Sequence, residues 1–482
     1  MQTLPSDPQP APESTGLTLV PFRGVRYAPD RVSGIANVTS PPYDVIGPGT
    51  VERLLASEPH NVVRLILPGA GSGQSPRGPA AEPSERAART LRDWLGSGVL
   101  CRDPGPALYV YEQSVPAGGR PAAGADGDGD GPSWEVVQRG LIGALRLVPP
   151  TAPSVLPHED VMPGPVRGRR ELMETTQANL EPIFLLYDSS EPPGQPGRGP
   201  ADGQAASGPR AQPPGGATRL VDEVADMRPP LLSAVTDDGI RHRLWAVTDP
   251  AEQAVIADDL AARSALIADG HHRYAAYLEL QAGKRAAGRG AGPWDYGLAF
   301  LVDSAAYPPR IGAIHRVIPA LTPARAAEMA KGAFDVQPVS GNLDAAQRAL
   351  AGASQDDSAF LLTDGAEHYL VTRPRPDRLA AAMPAGHSAR WRGLAASVLR
   401  ELLIRGSWGL RDEEPDVVVM PGDAATAVRA AREAGGTAVI GTPVPAADVR
   451  AVATNGERMP RKSTSFGPKP RTGLVMRTFA AS

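Results

Sequence analysis

The chain has 482 residues, with 49 basic and 53 acidic side chains and a formal charge of −4. That near balance argues against a protein that coats nucleic acid, because phosphate neutralisation needs a clear basic excess. A single cysteine, Cys101, excludes a disulfide framework and any multi-cysteine metal site, and it fits a reducing compartment.

In chain order, residues 1–20 lack the charged head and apolar run of a signal peptide, and no stretch reaches ~18 apolar residues. A soluble, cytoplasmic protein without a membrane partner is therefore expected. Three stretches rich in Gly, Pro, Ala, Ser and Asp (69–84, 116–133 and 189–217) bury too little to repay ordering, so they are read as mobile insertions at hairpin tips. Around them, β-branched and aromatic content predicts strands at 62–67 (VVRLIL), 108–113, 134–148 and 182–187. Short buried strands at 244–247 and 265–267 flank a helix at 250–262. A helix at 271–282 and a strand at 296–302 follow. Past residue 320, alanine-rich helices (323–333, 387–404, 423–434) alternate with strands (359–362, 368–372, 416–420, 437–440). This alternation predicts a mixed α/β (α+β) fold. The expected organisation is a disordered N-terminus (1–18), an N-terminal mixed region (19–150), a core (151–320), a C-terminal α/β region (321–455), and a basic loop and strand returning to the core (456–482).

Three segments carry chemistry. At 266–274 (LIADGHHRY) a short apolar strand runs through Asp269 and Gly270 into a helix opening with His271, His272 and Arg273. Such a turn aims backbone N–H groups and the positive end of a helix dipole at one point, which suits phosphate. Gly270 permits the close approach, Arg273 offers a fork of donors, and Asp269 is a candidate Mg²⁺ ligand. The plainer alternative is a capped turn with surface histidines.

At 157–160 (PHED), His158 and Glu159 precede arginines 167, 169 and 170 and a polar helix. A carboxylate beside a histidine and near cations is a candidate general base, although an ordinary helix start reads the same way. At 457–470 (ERMPRKSTSFGPKP), prolines bracket cations and hydroxyls in what should be an ordered loop, with Lys462, Ser463 and Thr464 as a candidate cradle for phosphate or carboxylate. A strand at 473–476 should tie this loop into the fold. Only four of the 49 basic residues are lysine (Lys284, Lys331, Lys462 and Lys469), so a retained lysine either needs a compact ammonium or reflects chance. Asp44 in a PPYDVI turn and His315 at a strand end are weaker candidates. No P-loop, GxGxxG, HExxH or nucleophile elbow is present.

Taken in order, PFRGVRY, PPYDVI, NVVRLILP, RGLIGALRL, LPHEDVMPGP, NLEPIFLLYD, ADGHHRYAAY, IGAIHRVIP and ERMPRKSTSFGPKPRTGLV resemble the domain-of-unknown-function 1015 (DUF1015) family over residues 21–476. More distantly, the order Pro-His-Glu, Asp-Gly-His-His-Arg, then Lys-Ser-Thr is similar to the free L-serine kinases of the ParB/sulfiredoxin fold. That resemblance implies a ParB/sulfiredoxin-like core, Glu159 as catalytic base with His158 and Asp269, and a nucleotide phosphate loop at Gly270, His271, His272 and Arg273. It further implies substrate groups at Lys462, Ser463, Thr464 and Arg167. Mg²⁺ and ATP, ADP or CTP would be the cofactors, and a small hydroxylated metabolite, serine first, the substrate. The late motif departs from Pro-Lys-Thr-Thr-Arg-His, so the acceptor does not carry over. Phosphoryl transfer needs oriented reactants, cations on the phosphates and a carboxylate at the acceptor hydroxyl, and all three are present as motifs. Two other readings share these groups: a nucleotide-binding switch without turnover, and hydrolysis of a phosphate ester of the same metabolite. The near-neutral charge and the lack of a helix-turn-helix weigh against DNA binding.

Overall fold

A computed structural model describes residues 16–69, 82–119, 133–191, 215–354 and 358–479. The N-terminal segment through residue 15 and most of the three low-complexity stretches lie outside them. The fold is mixed α/β, with helices and strands interleaved along the chain. Two compact units emerge. The first gathers the described residues of Met1–Leu156, Val161–Pro308 and Pro468–Ser482, and the second gathers Pro157–Asp160 and Pro309–Gly467.

The first unit is built on a nine-stranded sheet. Its main path runs Val155–Leu156, Ala265–Asp269, Ile183–Tyr187, Tyr296–Asp303, Trp134–Arg146, Leu108–Pro116, Arg241–Val247 and Leu232–Val235, with Leu19–Val20 also paired to Trp134–Arg146. Pairing is antiparallel except where Ala265–Asp269 meets Val155–Leu156 and where Tyr296–Asp303 meets Ile183–Tyr187. Strand alternation sends Leu108, Val110, Leu141, Ile183, Leu185 and Ile267 into one core. That core is closed by Val221 and Val224 of helix Gly216–Met227, Ile256 and Leu260 of Pro250–Leu260, and Tyr274, Tyr277 and Leu280 of His271–Ala286. Helix Pro250–Leu260 starts where expected because Asp249 accepts the Ala251 N–H at 2.8 Å and proline takes the first helical position. The opposite residues of the same strands include Tyr111, Phe184 and Phe300, whose rings pack at 5.0 and 5.6 Å. A small sheet (Leu100–Arg102, Gly24–Tyr27, Met476–Thr478, Ala178–Asn179) brings the chain's end back to its beginning.

The second unit carries a six-stranded antiparallel sheet in the order Asp335–Pro338, His368–Thr372, Phe360–Thr363, Thr437–Ile440, Ile314–Ile318 and Val418–Pro421. Its core packs Leu361, Ala438 and Ile440 against Ala427, Val428 and Ala431 of helix Ala424–Ala434, which Asp423 caps.

Several expectations need correction. Residues 62–67 do not form a strand: Val63–Ile66 is a helical turn, and the Asn61 side chain accepts the Val63 N–H at 2.9 Å to start it. The helix expected at 387–404 is broken, because Leu394 is extended between Ala389–Gly393 and Ala395–Ser397, and a π-helical segment, Val398–Ser407, follows. The terminal strand is Met476–Thr478 rather than 473–476. Of the three insertions only 116–133 sits at a hairpin tip, where Pro116 pairs with Trp134. The other two end inside helices, Pro83–Gly96 and Gly216–Met227.

Candidate functional site

In the first unit, Ala265–Asp269 pairs with Ile183–Tyr187 through Ile267↔Leu185 and then Asp269↔Phe184. The register slips by one residue just before the turn. Such a bulge re-aims the side chains that follow it. Gly270 then adopts φ +91°, the left-handed region, and a Cβ there would stand 3.1 Å from both Arg273 Nε and Ile183 Cγ2. Only glycine makes this turn without strain. His271–Ala286 begins at once with no side-chain cap, and the Tyr274 N–H bonds the Gly270 carbonyl at 2.9 Å.

Arg273 does not extend as a fork toward solvent. It is 1% exposed, and its two terminal nitrogens bond Asp269 Oδ2 and the Pro182 carbonyl. Asp269 also pairs with the Lys469 ammonium, whose other carboxylate partner is Asp44 Oδ2 at 3.2 Å. Two aspartates from distant turns thus share one lysine. Burial pushes the Lys469 ammonium toward the neutral form, but Asp269 and Asp44 outweigh it and hold its pKa above the ordinary value. Burial likewise raises the Asp44 carboxyl, but Lys469 and Arg273 overcome it and leave it below the ordinary range. Beside this pair, Glu181 accepts the Tyr43 N–H at 3.0 Å and lies 3.5 Å from Arg169 Nη1, while the Arg169 guanidinium covers the Tyr43 ring at 4.3 Å. Burial pushes Glu181 up, against the pull of Arg273 and Arg169. The same burial raises Tyr43 to about 12.

The other predicted residues of this unit are His271, His272 and Arg167. His271 is buried at the helix start, and His272 Nε2 accepts the Met162 N–H at 3.1 Å, which puts the neutral ring's proton on Nδ1. Arg167 is exposed on helix Pro163–Thr176, and it is Arg169 of that helix that joins the charge cluster.

In the second unit, the 157–160 segment and the late loop converge. His158 is fully buried, and its Nε2 lies 2.9 Å from Thr464 Oγ1, 306 positions away in sequence. The Thr464 hydroxyl donates to Glu159 Oε1 at 3.4 Å. A hydroxyl has one proton to give, so with that proton on Glu159 the His158 Nε2 must be the donor to Thr464. One backbone bond, Met459 N–H to His158 O at 2.8 Å, and one from a side chain, Arg458 Nη1 to Pro157 O at 2.9 Å, fix the juxtaposition. The ring of Phe466 meets His158 edge-on at 5.6 Å.

Arg316, from the strand that also carries His315, donates to the carbonyls of Lys462 and Arg461 at 3.0 and 3.3 Å and is held by Asp412 at 3.3 Å. That grip accompanies a left-handed Lys462 at φ +54°, a conformation costing on the order of 1 kcal/mol in a residue with a Cβ. Lys462, Ser463 and Thr464 do not point to one place. The first is exposed, the Ser463 hydroxyl is buried with no hydrogen-bond partner among the described residues, and Thr464 engages His158 and Glu159.

Lys469, noted in the sequence only as a retained lysine, and Glu181 were not placed in the site, and Asp44 ranked low. Lys469 carried a usable signal, as one of four lysines in a chain that otherwise uses arginine. Among the described residues no three His, Cys, Asp or Glu side chains are grouped to hold a metal ion.

A fold of this class, with these motifs in this order, defines a family rather than an activity. The family model of the protein of unknown function DUF1015 matches residues 19–194 and 211–397, and the chain belongs to that family. No curated protein matches it in sequence. Among solved structures, a free serine kinase in complex with AMP is similar over 65% of this chain and 84% of its own, at 14% identity and a TM-score of 0.31. SbnI with a C-terminal truncation, from Staphylococcus aureus, covers 68% and 82% at 10% identity and a TM-score of 0.31. A conserved hypothetical protein from Pyrococcus furiosus covers 67% and 90% at 14% identity and a TM-score of 0.30.

Proposed function

We propose that this protein is a nucleotide-dependent phosphotransferase with a ParB/sulfiredoxin-like core, acting on a small hydroxylated metabolite with serine as first candidate. The observation that carries the reading is the hydrogen-bonded run His158–Thr464–Glu159, which joins two motifs from opposite parts of the sequence. A carboxylate oriented by a neighbouring hydroxyl is the group that an acceptor hydroxyl requires, because phosphoryl transfer asks for a positioned base and little covalent help.

The nucleotide phosphates fall to the start of His271–Ala286, where Gly270 lets a ligand approach the backbone. His271 and His272 are the first two residues of that helix. Arg273, spent on Asp269 and Pro182, supports the turn from within. Mg²⁺ commonly takes one or two carboxylates and completes its shell with water and phosphate oxygens, but the carboxylates here do not fit it: Lys469 is paired with both Asp269 and Asp44, and Arg273 also holds Asp269. Exposed Lys462 is the substrate group best placed to meet an anionic substituent from solvent.

The test is to titrate purified protein with ATP, ADP and CTP in the presence of Mg²⁺ and then supply pooled amino and hydroxy acids. Saturable nucleotide binding with phosphorylation of one hydroxylated acceptor is the expected result. Failure of all three nucleotides to bind contradicts the reading.

A further inference from the structure

Arg477 lies on the terminal strand Met476–Thr478, 6% exposed, and among the described residues no carboxylate stands within ion-pairing distance of it. Its partners are neutral oxygens: Asn179 Oδ1 at 2.9 Å and the Tyr296 carbonyl at 3.0 Å on Nη1, and the Pro293 carbonyl at 2.8 Å on Nη2. A guanidinium has five N–H donors, so two are left over, carried by the adjacent nitrogens Nε and Nη2. A buried charge is ordinarily paired, because the cost of desolvation is otherwise unmet. Burial accordingly pushes Arg477 down to about 10.

The same side chain lines a cavity of about 440 Å³ in the first unit, walled by Val20, Pro21, Phe22, Pro293, Tyr296 and Phe479. The volume is in the range of small-molecule sites, which are mostly apolar with a few fixed polar groups. Phe479 lies under the guanidinium, 5.6 Å from ring centroid to Cζ.

We infer that this cavity binds a small organic anion, a carboxylate on an apolar or aromatic body, with the carboxylate on Arg477 and the body against the proline and aromatic walls. The match is chemical. Adjacent N–H donors suit the two oxygens of a carboxylate, and the walls offer nothing to a polyhydroxylated molecule. The site is separate from the residues assigned to phosphoryl transfer, and its test does not use activity.

Isothermal titration of the full chain with benzoate, phenyl phosphate and phenol addresses the inference. Saturable binding of benzoate, with phenol at least about tenfold weaker for want of the charge-assisted bonds, is expected. Arg477→Lys keeps the charge but loses the paired donors, so benzoate should weaken by about tenfold. Because Arg477 also ties the strand to the 293–296 turn, Val20→Trp serves as the second variant: it fills the cavity from a residue outside that tie and should abolish binding with the circular dichroism spectrum unchanged. No saturable benzoate binding, benzoate binding that survives Val20→Trp, or a preference for phenyl phosphate over benzoate each overturns the assignment.

Discussion

Lys469 shows what a single side chain contributes to the candidate site. Its ammonium separates Asp44 from Asp269, two carboxylates that would otherwise face each other with only Arg273 to offset them. Lys469→Met keeps much of the volume and removes the charge. A loss of about 2 kcal/mol in urea unfolding is predicted, below the 3–5 kcal/mol of a fully buried pair because a fifth of the side chain is exposed. Asp44 titrates below its ordinary value in the fold, so this stabilisation is present at neutral pH and fades as the pH drops through the folded value. The gap between wild type and variant should therefore close in acid. His242 makes a second, independent prediction. It is buried with Tyr111 Oη 2.8 Å from Nδ1 and Thr236 Oγ1 3.1 Å from Nε2, and burial, with Arg471 adding to it, lowers its pKa from 6.5 to about 3. Unfolded histidine takes up a proton below about 6.5 while the folded one does not, so stability falls as pH drops from 6.5 toward 3. Thermal melts of His242→Asn over that range should show a shallower decline; an identical slope would exclude His242 as the source.

At the scale of elements, composition misled where a helix begins inside a low-complexity stretch. Ala217, at the end of the 189–217 insertion, is fully buried, and its N–H bonds Asp259 Oδ2 at 3.0 Å. No periodic apolar pattern announces that first turn. The 116–133 stretch differs, since the ladder on either side of it is complete to Pro116↔Trp134. Replacing 120–132 by Asn-Gly should therefore change stability by no more than about 1 kcal/mol, loop closure varying only slowly with length. Deleting 189–217 removes the start of Gly216–Met227 and should leave little folded protein. Expression and melting of the two deletions separate these outcomes. The strand expected at 62–67 failed for a related reason: β-branched content is also compatible with one buried helical turn, and the Asn61 side chain that accepts the Val63 N–H lies outside the apolar run.

For the molecule as a whole, strands with clear alternation and turn-bounded ends were legible, as was the Asp-Gly-His-His-Arg turn with its required glycine. The pairing order of the nine-stranded sheet was not, because it depends on contacts between residues far apart in the chain, and neither was the inward turn of Arg273, which follows from the burial of Asp269 beside it. The meeting of 157–160 with the late loop could be suspected from motif order alone; its hydrogen bonds could not. In the proposed function, Glu159 is the base of a phosphoryl transfer. The direct test compares wild type and Glu159→Gln for nucleotide binding by calorimetry and for phosphorylated acceptor by mass spectrometry, with Mg²⁺, nucleotide and pooled hydroxy and amino acids. If Glu159 is that base, nucleotide affinity should be equal and product formation should fall by about 10²-fold or more. A variant that turns over at the wild-type rate, or a wild type that binds nucleotide and phosphorylates nothing, contradicts it.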